Sequence, residues 1–567
     1  MSKATTNALL KELKENNQDF EWYPTSKEML EPLFKYFEKE DRERRIKSIL
    51  DIGAGDGRTL LALSSELGAN RIYAIEKATS LIQAMSREIL NVGVDFWQTS
   101  LIEKEQDFIF CNPPYSEFEA WIERIIKEGN FGYFAFIVPH RWRKSLAIKR
   151  ALRQRVDLKS LKILASFDFL AADRMARAKV DLVLLQTTKY ERKQEKDIFS
   201  DFLEKQFGFN FEHIKEEKNA YAKERERIEE LEDQTREIAK ADLIDFLVSK
   251  YEKELREFQQ AVASLKNIHP QILNSLNIDK EKLINSIKEQ LIQLKAVYWN
   301  ALFNELESIK RRMIKKYRNV LSSRVASGAN IDFTKENIHS VVIWVIKNAD
   351  KYIEQSYLDF FDRMAREDNA KHYKSNERFE TDKWRYNRED YKHIPHKLDY
   401  RIVLQDEVQI DTLYRLHQTN KSDFLDDMCV IAHNLGFTPH STWEKVVFLA
   451  GTQGEFERFV NENGTICKKV FAEYKAYKNH NLHIKFDKDF MAALNLAVGR
   501  LRGWLRNEAQ AREEFKEASN LAFDSGFKKS LTLCKKDMPL MLANTQDYIQ
   551  TEQNKEPSLF DNLDEVS

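Results

Sequence analysis

Ser48-Ile49-Leu50-Asp51-Ile52-Gly53-Ala54-Gly55-Asp56-Gly57-Arg58 is the stretch that decides the fold. Its first five residues form a short, mostly apolar run of the kind a doubly buried strand shows, and three alternate glycines then open a helix over 59–67. Glycine lets a backbone approach a ligand closely, and the free N–H groups of a helix N-terminus suit a carboxylate. Working outward, Arg71-Ile72-Tyr73-Ala74-Ile75-Glu76 is a second strand that ends in an acid. An acid at that strand end accepts the ribose hydroxyls of an adenosine-containing cofactor. On the glycines alone, a nicotinamide dehydrogenase competes with any other nucleotide-binding enzyme.

The next informative stretch, Asp107-Phe108-Ile109-Phe110-Cys111-Asn112-Pro113-Pro114-Tyr115, is an apolar strand running into an Asn-Pro-Pro-Tyr turn. Two prolines fix φ twice and remove two amide donors, so the backbone is stiff and its carbonyls are free to face a ligand. A planar NH2 group needs that arrangement: acceptors from the Asn112 side chain and a nearby carbonyl, with the Tyr115 ring as a floor. The bland alternative is a loop stop. A dehydrogenase has no use for such a corner. Cys111, at the end of an apolar strand, reads as a small core residue and not as a covalent nucleophile.

With these motifs in this order, residues 20–190 resemble the class I S-adenosylmethionine-dependent methyltransferases, and 112–115 matches the amino-methylating motif of their adenine-N6 DNA members. The resemblance implies an α/β fold with a seven-stranded Rossmann-like sheet. It implies that Gly53, Gly55 and Gly57, with Asp51, cradle the methionine end of S-adenosylmethionine, that Glu76 holds the ribose, and that Tyr23 and Thr25 fold over the cofactor. Asn112, the Pro113 carbonyl and Tyr115 are then the catalytic group. The third strand reads as 94–98, which puts Asp95 at its wrong end and aligns Ser100 with the acid that relatives use for the cofactor's adenine. Thr25 also reads as the cap of the helix over 27–37. Further strands are expected at 132–138, 162–169 and 180–187.

Composition sets the outer limits. A chain of 567 residues needs several cores. A net charge of -1 with 32% charged residues leaves any polyanion binding to local patches. Four scattered cysteines argue against a disulfide framework or a zinc site and suit a reducing cytoplasm. No run approaches 18 apolar residues, so the expectation is a protein neither secreted nor membrane-spanning.

Candidate nucleic-acid contacts interleave cations with rings: Arg141 and Trp142 after the fifth strand, Arg174 and Arg177 in a basic loop, and Lys383-Trp384-Arg385 within 371–401. His393 and His396 lack a third ligand, so no metal is expected. The domain order is a cofactor-capping segment at 1–46, a methyltransferase core at 47–195 and a long-helical region at 196–330. A mainly α accessory or recognition domain follows at 331–530, then a tail at 531–567. Ile287, Leu291, Leu294, Tyr298, Leu302, Leu306, Ile309 and Met313 step by three and four along one helical face. The C-terminal third resembles a domain of unknown function that accompanies methyltransferases in phages and mobile elements, through the strand 481–486 and the following Leu494-Asn495. In the tail, Ser558-Leu559-Phe560 resembles peptides that dock on the bacterial sliding clamp. The expected function is transfer of a methyl group from S-adenosylmethionine to N6 of a flipped adenine in DNA. The alternatives are an exocyclic amine in RNA, a protein glutamine, or a DNA-binding relic without turnover.

Overall fold

β1 (Ser48–Ile52) is buried along its whole length because it is sandwiched on both edges, pairing in parallel with β2 (Arg71–Ile75) and with β4 (Gln106–Cys111). The computed structural model describes residues 3–18, 20–39, 46–155, 157–168, 179–188, 243–265, 280–365, 397–405, 407, 423–437, 439–440, 453–462 and 465–528. Four more strands complete the sheet around β1: β3 (Leu90–Gly93), β5 (Phe131–Pro139), β6 (Leu158–Asp168) and β7 (Lys179–Thr187). The order is β3-β2-β1-β4-β5-β7-β6, and β7 alone runs antiparallel to both its neighbours. The seven-stranded Rossmann-like sheet is therefore present.

The third strand differs from its expected position. It spans Leu90–Gly93, four residues early, so 94–98 forms the loop after it and Asp95 stands at its C-terminal end.

Helices cover the sheet. Leu30 and Leu33 of α2 (Lys27–Lys39) and Leu60 and Leu63 of α3 (Arg58–Leu67) share one buried cluster with Ile49, Phe108, Tyr133 and Leu182. Each such side chain contributes about 1.5–3 kcal/mol relative to exposure. In front of them, α1 (Lys3–Glu15) lays Leu13 against Ala78 and Leu81, the latter in α4 (Thr79–Ala84).

The chain forms two units: Met1–Leu302 with Ser322–Lys347, and Phe303–Leu321 with Asn348–Leu540. The boundary expected at 330 thus falls inside the first unit. The helix Leu243–Leu265 and the helix Lys280–Glu305 as far as Leu302 belong to it, with Ile287, Leu291, Leu294, Tyr298 and Leu302 all buried as their spacing predicts. Tyr251 meets Tyr298 edge to face at 5.4 Å, and Trp299 meets Phe333 at 5.0 Å.

In the second unit many helices accompany a five-stranded antiparallel sheet. Its order is β8 (Arg401–Leu404), β12 (Leu482–Phe486), β11 (Thr465–Ala476), β10 (Gln453–Glu462), β9 (Pro439–His440). Asp487 caps the helix Lys488–Leu501 by accepting from the N–H groups of Asp489 and Phe490. Phe490 then buries against Phe471 at 4.9 Å and Phe486 at 5.7 Å. Among the described residues no helix is long and apolar enough to cross a membrane.

Candidate active site

Parallel strands end on the same edge of a sheet, and register decides which loops become neighbours there. Ile52 pairs with Ile75 and with Cys111, and Cys111 pairs with Phe136. The glycine turn, Glu76, Asn112 and the chain beyond β5 are therefore brought together at one edge.

The glycines serve different purposes. Gly53, Gly55 and Gly57 all have positive φ, of 80°, 60° and 78°, which a residue with a Cβ adopts only with strain. A Cβ on Gly55 would lie 2.2 Å from Nε1 of Trp22, so the indole is laid directly on that glycine. A Cβ on Gly57 would strike Ile89 at 2.3 Å, so this glycine serves core packing. Gly53 faces the ring of Trp121 and the Asn112 carbonyl. The turn is locked from below: Gly53 N–H donates to the Ile75 carbonyl (2.8 Å), and Gly55 N–H donates to Glu76 Oε2 (2.8 Å).

Glu76 accepts from Ala78 N–H as well, through Oε1 at 2.8 Å. Burial pushes its carboxyl up to about 7; the amides of Ala78, Gly55 and Lys77 pull the other way, and the charge of Asp56 adds to the rise. Asp51, beneath the turn, is raised well above the usual carboxylate range by burial and by the charges of Glu76 and Asp56. Asp51 Oδ1 is buried and has no hydrogen-bond partner among the described residues. Asp56 is held by Arg58 at 2.6 Å, and Arg58 lies over Trp22 and donates to Thr6 Oγ1. Sequence reasoning missed Trp22 and Trp121, whose only signal was their place beside Tyr23 and after the Asn-Pro-Pro-Tyr turn.

Asn112 is fixed by two acceptors. Its Nδ2 donates to the Tyr23 carbonyl (3.0 Å) and to Thr25 Oγ1 (3.2 Å). A carbonyl can only accept, so the amide is oriented with its nitrogen towards Tyr23. Asn112 Oδ1 is left buried with no partner among the described residues. Thr25 therefore positions Asn112 and does not cap a helix; α2 starts at Lys27. The Tyr23 and Tyr115 rings are parallel within 6°, with centroids 5.8 Å apart. Arg141 braces the corner from outside, donating to the Tyr115 carbonyl and lying over Phe118 at 5.0 Å. Burial pushes the Cys111 thiol well up, away from thiolate chemistry.

Ser100 N–H donates to Asp332 Oδ2 (3.3 Å), in a loop far along the chain, and its Oγ is buried with no hydrogen-bond partner among the described residues. Asp95 instead follows β3 directly, accepting from Lys77 Nζ and from Trp97 N–H, beside Phe96, whose ring stacks on Trp121 at 4.2 Å.

Trp142 is not available as a stacking platform. It is 6% exposed, and its indole N–H donates to Asp181 Oδ2 (2.8 Å). Asp181 also accepts both nitrogens of the Arg143 fork and the Ser166 hydroxyl, and His140 Nε2 lies 2.9 Å away. Burial acts to raise this carboxyl, but those donors and the His140 charge hold it below its ordinary value. Trp142→Ala is accordingly expected to cost about 3–5 kcal/mol of stability in denaturant unfolding, far beyond a surface contact. Arg174, Arg177, Lys383, Trp384, Arg385, His393, His396, Ser558, Leu559 and Phe560 lie outside the described residues.

The second unit has a cavity of ≈ 540 Å³. Its charges face one another, with Lys316 2.6 Å from Asp359, Lys315 3.3 Å from Asp423 and Arg363 3.5 Å from Asp427. Among the described residues no group of three or more His, Cys, Asp or Glu is placed to hold a metal ion.

The strand order, with β7 reversed, defines the first unit's sheet as a Rossmann-like methyltransferase fold. Residues 291–504 match the family model described as a domain of unknown function, DUF4942. That match begins inside the helix Lys280–Glu305. No curated protein matches the chain. Three of the solved structures that resemble it bear methyltransferase titles. The E. cuniculi Mtq2–Trm112 complex, responsible for methylating the eRF1 translation termination factor, is 16% identical over 29% of this chain and 98% of that one, with TM-score 0.23. Human methyltransferase 10 domain containing protein is 18% identical over 33% and 97%, with TM-score 0.24. A dimethyladenosine transferase from Plasmodium falciparum is 10% identical over 48% and 98%, with TM-score 0.25. The fold is defined by the strand order and not by these likenesses.

Proposed function

We propose that the chain is an S-adenosylmethionine-dependent methyltransferase acting on a planar amino group, N6 of an adenine flipped out of DNA. The observation that carries this reading is Asn112. With its nitrogen committed to Tyr23 and Thr25, its buried Oδ1 is a bare acceptor, and a methyl-accepting NH2 group is a donor that fits it.

The residues present fit the cofactor. Gly53 gives the close backbone approach, Glu76 offers a carboxylate for ribose hydroxyls, and Asp95 serves in place of Ser100 as acceptor for the adenine amino group. Asp51 supports the turn from below. When bound, S-adenosylmethionine supplies an electrophilic methyl group. The chain does the rest by positioning. Asn112 Oδ1 and the Pro113 carbonyl accept from the substrate NH2, turn its lone pair towards the methyl, and stabilise the positive charge that develops on nitrogen until a proton leaves to water. Tyr115 holds the base flat. Its ring already faces Tyr23 at 5.8 Å, less than the roughly 7 Å that two stacking contacts need, so a base on that face displaces Tyr23 or widens the slot.

Incubation with methyl-labelled cofactor and DNA, RNA or protein tests the reading, followed by methylation-sensitive sequencing of the labelled DNA. Label confined to RNA or to glutamine overturns the DNA assignment. Label nowhere, together with no cofactor binding, favours a relic without turnover.

A pH effect accompanies cofactor binding. Near and below pH 7 Glu76 holds a proton in the free protein. Two ribose donors favour the carboxylate, so binding lowers this pKa and releases the proton. Affinity is therefore expected to rise with pH up to about 7, by at most roughly tenfold per unit, and to flatten above it. Calorimetry from pH 5.5 to 8.5 checks this, and Glu76→Gln should remove the slope.

A further inference from the structure

Beyond β5 the chain makes a short 3-10 turn (His140–Lys144), which carries Arg141, and enters α6 (Leu146–Gln154). Ser145 caps α6 by accepting from Ile148 N–H and donates to Glu119 Oε2 on α5 (Phe118–Glu128), the helix that follows the Asn-Pro-Pro-Tyr turn. The start of α6 is thus tied to the catalytic corner twice, through Ser145 and through Arg141 on the Tyr115 carbonyl.

α6 buries Ile148 and Ala151. At 100° per residue the opposite face carries Leu146, Lys149, Arg150 and Arg153, and all four are exposed. Leu146 is 76% exposed, whereas the next most exposed large hydrophobic residue among those described, Val320, reaches 47%. A single exposed leucine is ordinary on a surface. This one leads a cationic helical face at the rim of the site, in a chain whose net charge is only -1. Of the acids near the corner, Asp181 is paired with the Arg143 cation, whereas Glu119 and Glu117 keep their charge while accepting from the Ser145 hydroxyl and the Trp121 indole.

We propose that this face seats on duplex DNA, with Leu146 entering the base stack where the target base has left and Lys149, Arg150 and Arg153 on the flanking phosphates. The inference rests on the DNA-methylating reading above. An apolar side chain in the vacated space replaces lost stacking, and the cations carry affinity without reading sequence. Leu146 is a positioning residue: it acts on the flipping equilibrium and never touches the reacting atoms.

The test uses the full chain and a duplex bearing the sequence methylated by the wild type, with the target adenine either paired to thymine or opposite an abasic position. Flipping costs least when the target is unpaired. Leu146→Ala is expected to lower methylation of the paired target by about 10- to 100-fold. Opposite the abasic position its rate should return to within about twofold of wild type. The double variant Lys149→Ala, Arg150→Ala should reduce the slope of log Kd against log salt by about 2. Equal losses on both duplexes, no loss on either, or a lowered melting temperature for Leu146→Ala would overturn the wedge while leaving the DNA reading intact. A wild type that methylates no DNA overturns that reading, and the wedge with it.

Discussion

Replacing Asn112 by alanine is expected to lower methyl transfer by about 10²–10³-fold while S-adenosylmethionine binding stays within about twofold of wild type. The separation of the two effects follows from the geometry. Asn112 lies beyond β4, and its amide reaches Tyr23 and Thr25 but neither Glu76 nor the glycine turn. On the proposed reading, deleting it removes the acceptor for the substrate NH2 and takes one donor from the carbonyl of Tyr23, the residue whose ring faces Tyr115. Thr25→Val removes only one of the two tethers. It should cost about tenfold, as expected for a group slightly misplaced and not lost. Single-turnover rates with labelled cofactor, beside calorimetry of cofactor binding, read both quantities. Full activity in Asn112→Ala removes that residue from the reaction, and the amino-transfer reading goes with it.

What the sequence made legible, and what it hid, follows from how far each residue's partners lie along the chain. β1, β4 and the glycine turn were readable because strands buried on both faces are continuous apolar runs and a positive φ selects glycine. β3 was displaced by four residues because it is short and contains a polar residue. Asn91 is tolerated there by donating to the Glu76 carbonyl and to Ser340, 249 positions away. No local pattern announces such a partner. Trp142 looked like a nucleic-acid contact because its neighbours are cations; Asp181, 39 residues on, turns it inward. Thr25 resembled a cap for the same reason, its true partner being Asn112. In the second unit the strand at 481–486 was legible by alternation. The Leu494-Asn495 signal has a physical basis: Asn495 accepts from Leu398 N–H and donates to its carbonyl, both at 3.0 Å, as a ladder rung supplied by a side chain.

The second large effect concerns what joins the sheet to the helices. Lys295→Met should destabilise the protein by about 3–5 kcal/mol, because it strips the counter-charge from a buried cluster. Lys295 Nζ donates to Glu103 Oε2 (2.6 Å), Asp332 Oδ1 (2.7 Å) and Asn330 Oδ1 (3.2 Å). Lys104 Nζ donates to the Asn330 carbonyl (3.0 Å) and to Asp332 Oδ2 (3.2 Å). Burial acts to raise the Asp332 carboxyl, yet the two lysines hold it down to about 2. Two anions and two cations balance, so removing one cation leaves a charge unpaired in a cluster where Lys104, Lys295 and Glu103 are buried and Asp332 is 15% exposed. Charge balance also predicts the cure: Lys295→Met with Glu103→Gln should recover most of the loss, a coupling that a double-mutant cycle in denaturant measures. A loss below about 1 kcal/mol for the single variant, or no recovery in the double, would show that packing of Tyr298 and Trp299 holds this helix without the ion cluster. Lys295 lies in the segment that matches the domain of unknown function, whereas Glu103 and Lys104 lie between β3 and β4. On this argument a fragment ending at 195 leaves Glu103 and Lys104 without their partners and should not fold as a stable methyltransferase core, however complete its motifs.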